Sequence, residues 1–362
     1  MLASHRTQRK AALTSPERVR VYFGPGGETF EAEREPRSMV DVEKLREELK
    51  IPSYVDLKPT VMRRAIVALW AATTAPSTFG KTRDRRKLDS PLQPLLMGGA
   101  AVKVLSASAN EVGGPMNRKI HDLDFILPKS QAGKFVQVLS CLEAVAGSEY
   151  MHFLTSNDRR FNALRAGERY RARGIDWGED GQPSPSVVDI LVDRIEMRHR
   201  INVREEFALS ERNFHTIGME KLIISKCQLI NEYDPKVVSL PQSAACRILR
   251  YPPYRKDRTI LGMEEKDMLD VSALFIDGGE DGRLDIGRLR RALDDRKLLL
   301  TVRLNLENLV SAENWMKTRG LNGHQISRVH ETGRRILSAL PVVDQAWSKP
   351  WWNTNVETPL VT

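Results

Sequence analysis

A short apolar segment with two aspartates at alternate positions constrains this chain more than any other feature. Residues 122–127 read Asp-Leu-Asp-Phe-Ile-Leu. Side chains alternate between the two faces of a β-strand, so Asp122 and Asp124 share one face while Leu123 and Phe125 share the other. The segment therefore predicts a strand with one apolar face and with two carboxylates next to each other on the opposite face.

Two further segments extend this pattern. Residues 95–97 read Leu-Leu-Met and predict a short strand that ends at Gly98 and Gly99, where a helical pattern begins. Residues 187–192 are apolar and β-branched and predict another strand, which carries Asp189. If these strands are neighbours of the first one, three carboxylates converge on one spot beside a glycine turn.

Converging carboxylates repel one another, and each raises the pKa of the others unless a cation neutralises them. Mg²⁺ and Mn²⁺ prefer oxygen ligands and often bridge to substrate phosphates, and a pair of ions about 3.5–4 Å apart can activate an attacking hydroxyl. A glycine turn at a helix N-terminus suits a phosphate. We therefore expect Asp122, Asp124 and Asp189 to bind metal and Gly98 and Gly99 to cradle phosphate, although each motif alone is more often structural.

The remaining patterns predict an α/β fold with a small mixed sheet and flanking helices, followed by an α-helical domain. Short strands alternate with helices in the core at residues 91–214, whereas residues 215–345 show mainly helical periodicity. The pattern predicts helices at 42–49, 61–72, 131–146, 219–230, 264–275, 286–293 and 326–340, and further strands at 151–154 and 161–164.

The ends of the chain carry weaker signals. Residues 1–40 are polar, begin with a basic stretch and contain several turn formers, which predicts a poorly ordered lead; a transit peptide is the less favoured alternative. Residues 41–90 predict a helical extension that ends in a basic loop. The tail at residues 346–362 holds three of the six tryptophans, and its role is left open.

Composition favours a soluble protein of a reducing, cytoplasmic compartment with no membrane partner. No apolar run approaches the roughly 18 residues that a membrane span needs. The three cysteines lack metal-like spacing and are interpreted as small buried residues. The formal net charge of +9 favours nucleic acid, anionic substrates or acidic partners. Basic residues are dense at 159–173 and 247–258, where a nucleic-acid track competes with the more frequent solvated face.

The ordered set resembles the nucleotidyltransferase superfamily, whose pattern is a glycine turn, an Asp-x-Asp strand and a third acidic strand. It is most similar to the AbiEii-type (abortive-infection toxin) nucleotidyltransferases, over roughly residues 92–300. The matching residues here are Gly98-Gly99-Ala100-Ala101-Val102, Arg118 shortly before Asp122-Leu123-Asp124-Phe125, Lys226, and Lys266-Asp267-Met268-Leu269-Asp270-Val271. The sequence departs from the family in having Ala100 where threonine is usual and in a longer loop at 106–117.

The resemblance implies that Lys226 or Lys266 reaches the triphosphate, that Asp267 and Asp270 orient the lysine, and that Arg118 neutralises phosphate charge. Lys226 lies within an apolar helical stripe, where an unpaired ammonium group is costly. An ion pair between Lys226 and Asp267 or Asp270 is the structural alternative, and both interpretations stay open here.

The activity implied by the resemblance is transfer of a nucleoside monophosphate from an NTP to an acceptor, with release of pyrophosphate. The implied acceptor is RNA, particularly the ends of tRNA, and the implied setting is a toxin–antitoxin pair with an antitoxin protein as partner. Two other functions remain open. One is a small-molecule nucleotidyltransferase of the antibiotic-modifying type, and the other is a non-catalytic nucleotide- or nucleic-acid-binding module on the same fold.

Overall fold

A computed structural model of the chain describes residues 17–23, 28–34, 38–73, 91–178, 181–208, 215–228 and 263–343. These residues form a mixed α/β fold with a small mixed sheet and many helices, as the sequence predicts. The expectations for residues 1–16, for the basic loop near 81–87, for the basic cluster at 247–258 and for the tail at 346–362 lie outside the described residues. In the described part of the chain, no helix combines the length and apolar character of a membrane span.

The central sheet has five strands in the order β3-β4-β7-β6-β5, and only the β4–β7 pair is parallel. The strands are β1 (Arg18–Tyr22), β2 (Thr29–Glu33), β3 (Leu95–Met97), β4 (Leu123–Leu127), β5 (His152–Phe153), β6 (Arg169–Trp177), β7 (Pro183–Val192), β8 (Arg194–Glu196) and β9 (Arg200–Asn202). β1 pairs with β2 and β8 pairs with β9, each as a two-stranded antiparallel sheet.

The α-helices are numbered in chain order. They are α1 (Val42–Glu48), α2 (Thr60–Thr73), α3 (Gly98–Leu105), α4 (Lys129–Leu139), α5 (Leu142–Ala146), α6 (Ser156–Leu164), α7 (Arg204–Ala208), α8 (Met219–Lys226), α9 (Glu265–Glu280), α10 (Ile286–Arg291), α11 (Arg296–Ser311), α12 (Glu313–Thr318) and α13 (Gly323–Ala339). The predicted helices at 42–49, 61–72, 264–275, 286–293 and 326–340 are confirmed to within a few residues at most boundaries. The predicted helix at 131–146 is two helices, α4 and α5, and residues 229–230 lie outside the described residues.

The apolar face of β4 explains where the core lies. Leu123 and Phe125 are fully buried, and Phe125 packs edge-on against Phe135 of α4 with 4.9 Å between ring centroids. Phe125 lies opposite Leu96 of β3 and opposite Ile190 of β7, and both of these residues are buried as well. The carboxylate of Asp124 is therefore left for the opposite face, as the alternation predicts. Asp122 was predicted on the same strand, but it precedes β4, which begins at Leu123.

The prediction of a poorly ordered lead is wrong for residues 18–22 and 29–33, which form the β1–β2 hairpin. Its inward side chains, Val21 and Ala32, pack with Phe23 against Ile175 and Trp177 of β6. The hairpin has a period of two, but its few apolar residues are separated by charged ones, so composition alone suggested disorder. Burial against β6 supplies the apolar contact that the hairpin lacks in isolation.

The predicted strand at 161–164 is also wrong, because residues 156–164 form helix α6. Thr155 caps this helix: its hydroxyl oxygen accepts from the amide of Asp158. The long strand β6 was not predicted. Alternate arginines at 169, 171 and 173 occupy one of its faces, so the segment reads as a charged run instead of a strand.

The helical region packs directly on the sheet. The amide of Leu96 in β3 donates to the carbonyl of His215 at 2.8 Å, and the amide of Ile217 donates to the carbonyl of Leu96 at 3.0 Å. Helix α8 follows at once and contacts α3 and α9. Buried residues from Val42 to Leu340 belong to one continuous apolar core, so neither the segment at 41–73 nor the helical region is a separate appendage.

Hydrogen bonds join the loop at 106–117 to helix α9. Asp277 accepts hydrogen bonds from the hydroxyl of Ser106 at 2.5 Å and from the amide and hydroxyl of Ser108 at 3.0 and 2.8 Å. From the other side, the buried Lys103 donates to the carbonyl of Ala109 and to the amide oxygen of Asn117. The loop is thus part of the contact between α3 and α9.

Replacing Phe23 by alanine tests the correction at the hairpin. Phe23 is only 3% exposed and packs edge-on against Phe30 and Phe153, so Phe23→Ala should lower the free energy of unfolding by about 3–5 kcal/mol. The neighbouring Tyr22 is 54% exposed, and Tyr22→Ala should stay within about 0.5 kcal/mol of the parent. Equal effects of the two variants in urea denaturation would show that the hairpin does not pack on β6.

Candidate functional site

The site is centred on a row of residues that crosses four strands. Met97 of β3 lies opposite Asp124 of β4, Asp124 opposite Asp189 of β7, and Asp189 opposite Arg171 of β6. Because the four residues are register partners, their side chains share one face of the sheet. Two of the predicted carboxylates are therefore direct neighbours, and the glycine turn begins one residue after the first member of the row.

Gly98 is required where it stands because the carboxylate of Asp124 fills the space of its missing side chain. A Cβ on Gly98 would lie 2.3 Å from Oδ2 of Asp124, and the φ angle of Gly98 is +64°. Both the contact and the left-handed backbone exclude larger residues. The turn thus brings the start of helix α3 directly against the carboxylate.

Burial, and after it the nearby charge of Asp189, raises the pKa of Asp124 to about 6. Lys226 opposes this effect from helix α8. Asp122 precedes β4 and is more exposed; burial and then Asp189 raise its pKa, while His121 and Lys266 lower it. The three aspartates therefore form one electrostatic group, as their spacing predicts.

Asp189 has two arginine partners that the sequence did not indicate. Its Oδ2 accepts from Nη2 of Arg169 at 2.7 Å, and its Oδ1 accepts from Nε of Arg171 at 3.1 Å. Both oxygens are therefore engaged by cations. Among the described residues, no group of three or more histidine, cysteine, aspartate or glutamate side chains is placed to hold a metal ion together.

The aspartate that follows β7 serves a different purpose. Asp193 has a φ angle of +58°, accepts from the amide of Lys129 at 3.2 Å and pairs with Arg204 at 3.0 Å. It holds the end of β7 to the start of helix α4. Asp193 lies four residues after Asp189, but its hydrogen bonds go to Lys129 and Arg204, outside the carboxylate row.

Next to the carboxylate row lies a buried network of two cations and two carboxylates. Arg118 binds Asp270 of α9 through two hydrogen bonds, from Nε at 2.8 Å and from Nη2 at 2.7 Å. Lys226 of α8 lies 2.8 Å from Asp267 and 2.9 Å from Asp270. The ion pairs predicted as the structural alternative for Lys226 are therefore present, and they join α8, α9 and the loop before β4.

The charged groups in this network shift one another's pKa values. Burial alone would raise the pKa of Asp270, but Lys226 and Arg118 outweigh it and lower that pKa. Asp267 has only Lys226 as a close cation, and burial keeps its pKa raised. Burial would likewise lower the pKa of Lys226, but Asp267 and Asp270 raise it above its usual range. Lys226 is therefore charged at neutral pH.

Arg118 also explains the second glycine of the turn. A Cβ on Gly99 would lie 2.4 Å from Nη2 of Arg118, so only glycine leaves room for the guanidinium group over the start of α3. Lys266 is placed differently from Lys226: it is 54% exposed and pairs with Glu264 at 2.7 Å. Lys266 lies outside the buried network and acts on Asp122 and Asp267 only through its charge.

A large cavity lies elsewhere in the described residues. It measures about 880 Å³, is open to solvent and includes none of the predicted site residues in its lining. It is lined by Arg200, Ile201, Asn202, Glu205, Lys221, Arg288, Arg291, Ala292, Asp294, Asp295 and Leu298. Two of its lining residues, Lys221 and Glu205, form an ion pair, and the lining residue Arg288 pairs with Glu206, which lies outside the lining.

Comparisons of the chain with protein-family models, with curated proteins and with solved structures found no match. We therefore argue the function from the contacts of the site itself.

Replacing Asp124 by asparagine should stabilise the metal-free protein at neutral pH. The folded state holds a proton on Asp124 more tightly than the unfolded state, so its contribution to stability is present below pH 4 and is lost as the pH rises through about 6. In EDTA, Asp124→Asn should raise the free energy of unfolding by roughly 1–3 kcal/mol at pH 7.5, with the gain vanishing near pH 4. The exposed Asp281, changed to asparagine, is the control; a pH-independent difference would contradict the burial of Asp124.

Removing the charge of Lys226 should destabilise the protein strongly. Lys226→Met leaves Asp267 and Asp270 buried with one cation fewer, which should lower the free energy of unfolding by about 3–5 kcal/mol at pH 7. The deficit should shrink toward pH 4, because the two aspartates can then bind protons in the folded state. Lys266→Met removes an exposed lysine that pairs with Glu264, two residues earlier in the chain, and should cost less than about 1 kcal/mol. Equal losses for the two variants in urea unfolding would refute the network.

Proposed function

We propose that this chain is a metal-dependent nucleotidyltransferase that moves a nucleoside monophosphate from an NTP to an acceptor and releases pyrophosphate. In this proposal its core has the nucleotidyltransferase fold and is similar to the AbiEii-type enzymes. The observation that carries the proposal is the register of Asp124 and Asp189 on neighbouring parallel strands, with the Gly98 turn against Asp124. These two contacts support the interpretation that the glycine turn and the acidic strands belong to one site.

The start of helix α3 supports binding of the phosphates. The residue at its cap, Met97, provides no side-chain hydrogen bond, so the first amides of the helix are not satisfied by a capping side chain. Such amides and the helix dipole favour an anion. The guanidinium group of Arg118 lies over Gly99 at the start of α3, and Lys226 and Arg118 both interact electrostatically with the adjacent Asp124, so a phosphate at this position would meet two cations.

The chemistry of Asp122 and Asp124 suits a divalent cation. Their oxygens are hard ligands, and burial, followed by the charge of Asp189, raises the pKa of both carboxyl groups. A bound cation would offset both effects. Mg²⁺ or Mn²⁺, when bound, would neutralise the triphosphate and lower the pKa of an acceptor hydroxyl. Asp122 and Asp124 would hold the ion, and Asp189 would join them once it leaves its arginine partners.

The face of β6 next to the carboxylates supports an anionic acceptor. Arg169, Arg171 and Arg173 alternate along this face, and Arg159 and Arg160 are exposed on the neighbouring helix α6. Guanidinium groups in a row suit the phosphates of a nucleic acid. RNA, including a tRNA end, is therefore the acceptor that we favour, and the antitoxin partner follows from the family resemblance alone.

A non-catalytic binding module is the second candidate, because the pairing of Asp189 with two arginines withholds one carboxylate from a metal. Such a module would bind an NTP or nucleic acid without consuming it. A small-molecule nucleotidyltransferase differs from both, because it would consume NTP with a small hydroxyl acceptor and would not need the basic face of β6.

The activity test uses the full chain with Mg²⁺, each of the four labelled NTPs, and either total RNA or a set of small hydroxyl acceptors. We expect transfer of the nucleotide label to RNA, and Asp124→Asn should lower the rate more than about 100-fold because it removes a metal ligand. Asp193→Asn is the matched control, since Asp193 lies just beyond β7 and pairs with Arg204. Label transfer to a small acceptor alone would favour the antibiotic-type alternative. NTP binding without turnover in the parent would favour the binding module.

A further inference from the structure

The two arginines at Asp189 have more hydrogen-bonding capacity than Asp189 can use. Asp189 receives one N–H group from Nη2 of Arg169 and one from Nε of Arg171. A guanidinium group carries five donors. Nε of Arg169 is buried and has no hydrogen-bond partner among the described residues. A buried donor without an acceptor is costly, and an anion with several oxygens would supply the missing acceptor.

The surrounding residues hold Arg171 in place for such a ligand. Its guanidinium carbon lies 4.8 Å from the ring centroid of Phe161, over the ring face. Asn162 accepts from the amide of Arg171 at 2.7 Å and donates to its carbonyl at 2.9 Å. Helix α6 therefore fixes the backbone and the side chain of Arg171, so little conformational entropy remains to be lost on binding.

Asp189 takes up both arginines of this group. Two guanidinium groups pair with its one carboxylate, while the neighbouring carboxylate, Asp124, lies in register on its other side and forms an ion pair with neither of them. A metal ion can bind Asp189 only if at least one arginine leaves, because both of its oxygens are engaged by cations. A phosphate group carries more negative charge than a carboxylate and can accept hydrogen bonds from both planar guanidinium groups at once.

We propose that Arg169 and Arg171 form a phosphate-binding pair that keeps Asp189 from binding metal until a phosphate group takes its place. Entry of the phosphate transfers the two guanidinium groups from Asp189 to the phosphate oxygens, and Asp189 then turns to the ion held by Asp122 and Asp124. The inference rests on the proposed function and adds two ligand-binding residues to it. It also accounts for why Asp189 is paired with two arginines, while neither Asp122 nor Asp124 forms an ion pair among the described residues.

The test measures two bindings separately, with no turnover and no nucleotide. Electron paramagnetic resonance of Mn²⁺ gives the metal affinity, and isothermal calorimetry gives the affinity for inorganic phosphate. Arg169→Gln/Arg171→Gln should bind Mn²⁺ about tenfold more tightly than the parent, because Asp189 no longer has competing cations, and should lose phosphate binding. Asp189→Asn should bind phosphate about tenfold more tightly than the parent, since the competing carboxylate has lost its charge.

Arg194→Gln is the control. Arg194 lies on β8, outside the face of β6 that carries the arginine row, and pairs with Glu196 at 2.9 Å. It should leave both affinities unchanged. If the double variant does not fold, Arg169→Gln alone should shift both affinities in the same directions, because the side chain of Arg169 is 30% exposed against 10% for that of Arg171.

Three outcomes would overturn the inference. The first is an unchanged Mn²⁺ affinity in the arginine variants, and the second is phosphate binding that survives in them; in either case NTP consumption by the parent would leave the proposed function standing. The third is a lack of Mn²⁺ binding in both the parent and the variants, which would remove the metal-dependent function as well.

Discussion

The negative charge of Asp124 is the feature around which the site is arranged. Asp124 lies in the middle of the sheet, where burial and the neighbouring Asp189 make ionisation unfavourable and raise its pKa to about 6. Three features of the surrounding residues accommodate this charge. Gly98 provides space for the carboxylate, Lys226 approaches it from α8, and Asp189 is neutralised by arginines so that it repels Asp124 less. A stable fold without a ligand would need no such group, which is why we connect it with binding.

The buried network of Arg118, Asp270, Lys226 and Asp267 extends this arrangement into the helical region. Two carboxylates of α9 hold two cations beside the start of α3, and the contact between Arg118 and Gly99 sets how closely the loop approaches the helix. Ion pairs of this kind add little net stability compared with apolar packing, but breaking one leaves a buried charge and is costly. The network therefore fixes the position of Lys226 strongly. A structural role and a role in binding phosphate are compatible for the same lysine.

Several errors of the sequence interpretation have one physical origin, which is that charged residues can be buried when they find partners. Strand β6 was missed because Arg169, Arg171 and Arg173 resemble a solvated run, and only Asp189 and Asp158 on other elements explain their positions. The β1–β2 hairpin was taken for a disordered lead because its apolar residues are few and depend on Ile175 and Trp177, more than a hundred residues away. The local pattern of residues 161–164 predicts a strand, but these residues end a helix that begins after its capping residue, Thr155.

By itself, the sequence determined the strand that carries Asp124, the strand that carries Asp189, the glycine turn between β3 and α3, and the mainly helical character of the region after residue 215. These features follow from periods of two and of 3.6 residues and from the backbone freedom of glycine, all of which are local. Only the tertiary structure decided that Asp124 and Asp189 are register partners, that Lys226 is shared between Asp267 and Asp270, and that Arg169 and Arg171 hold Asp189. Those contacts join residues distant in the chain, and they depend on strand order and helix packing, which no local pattern encodes.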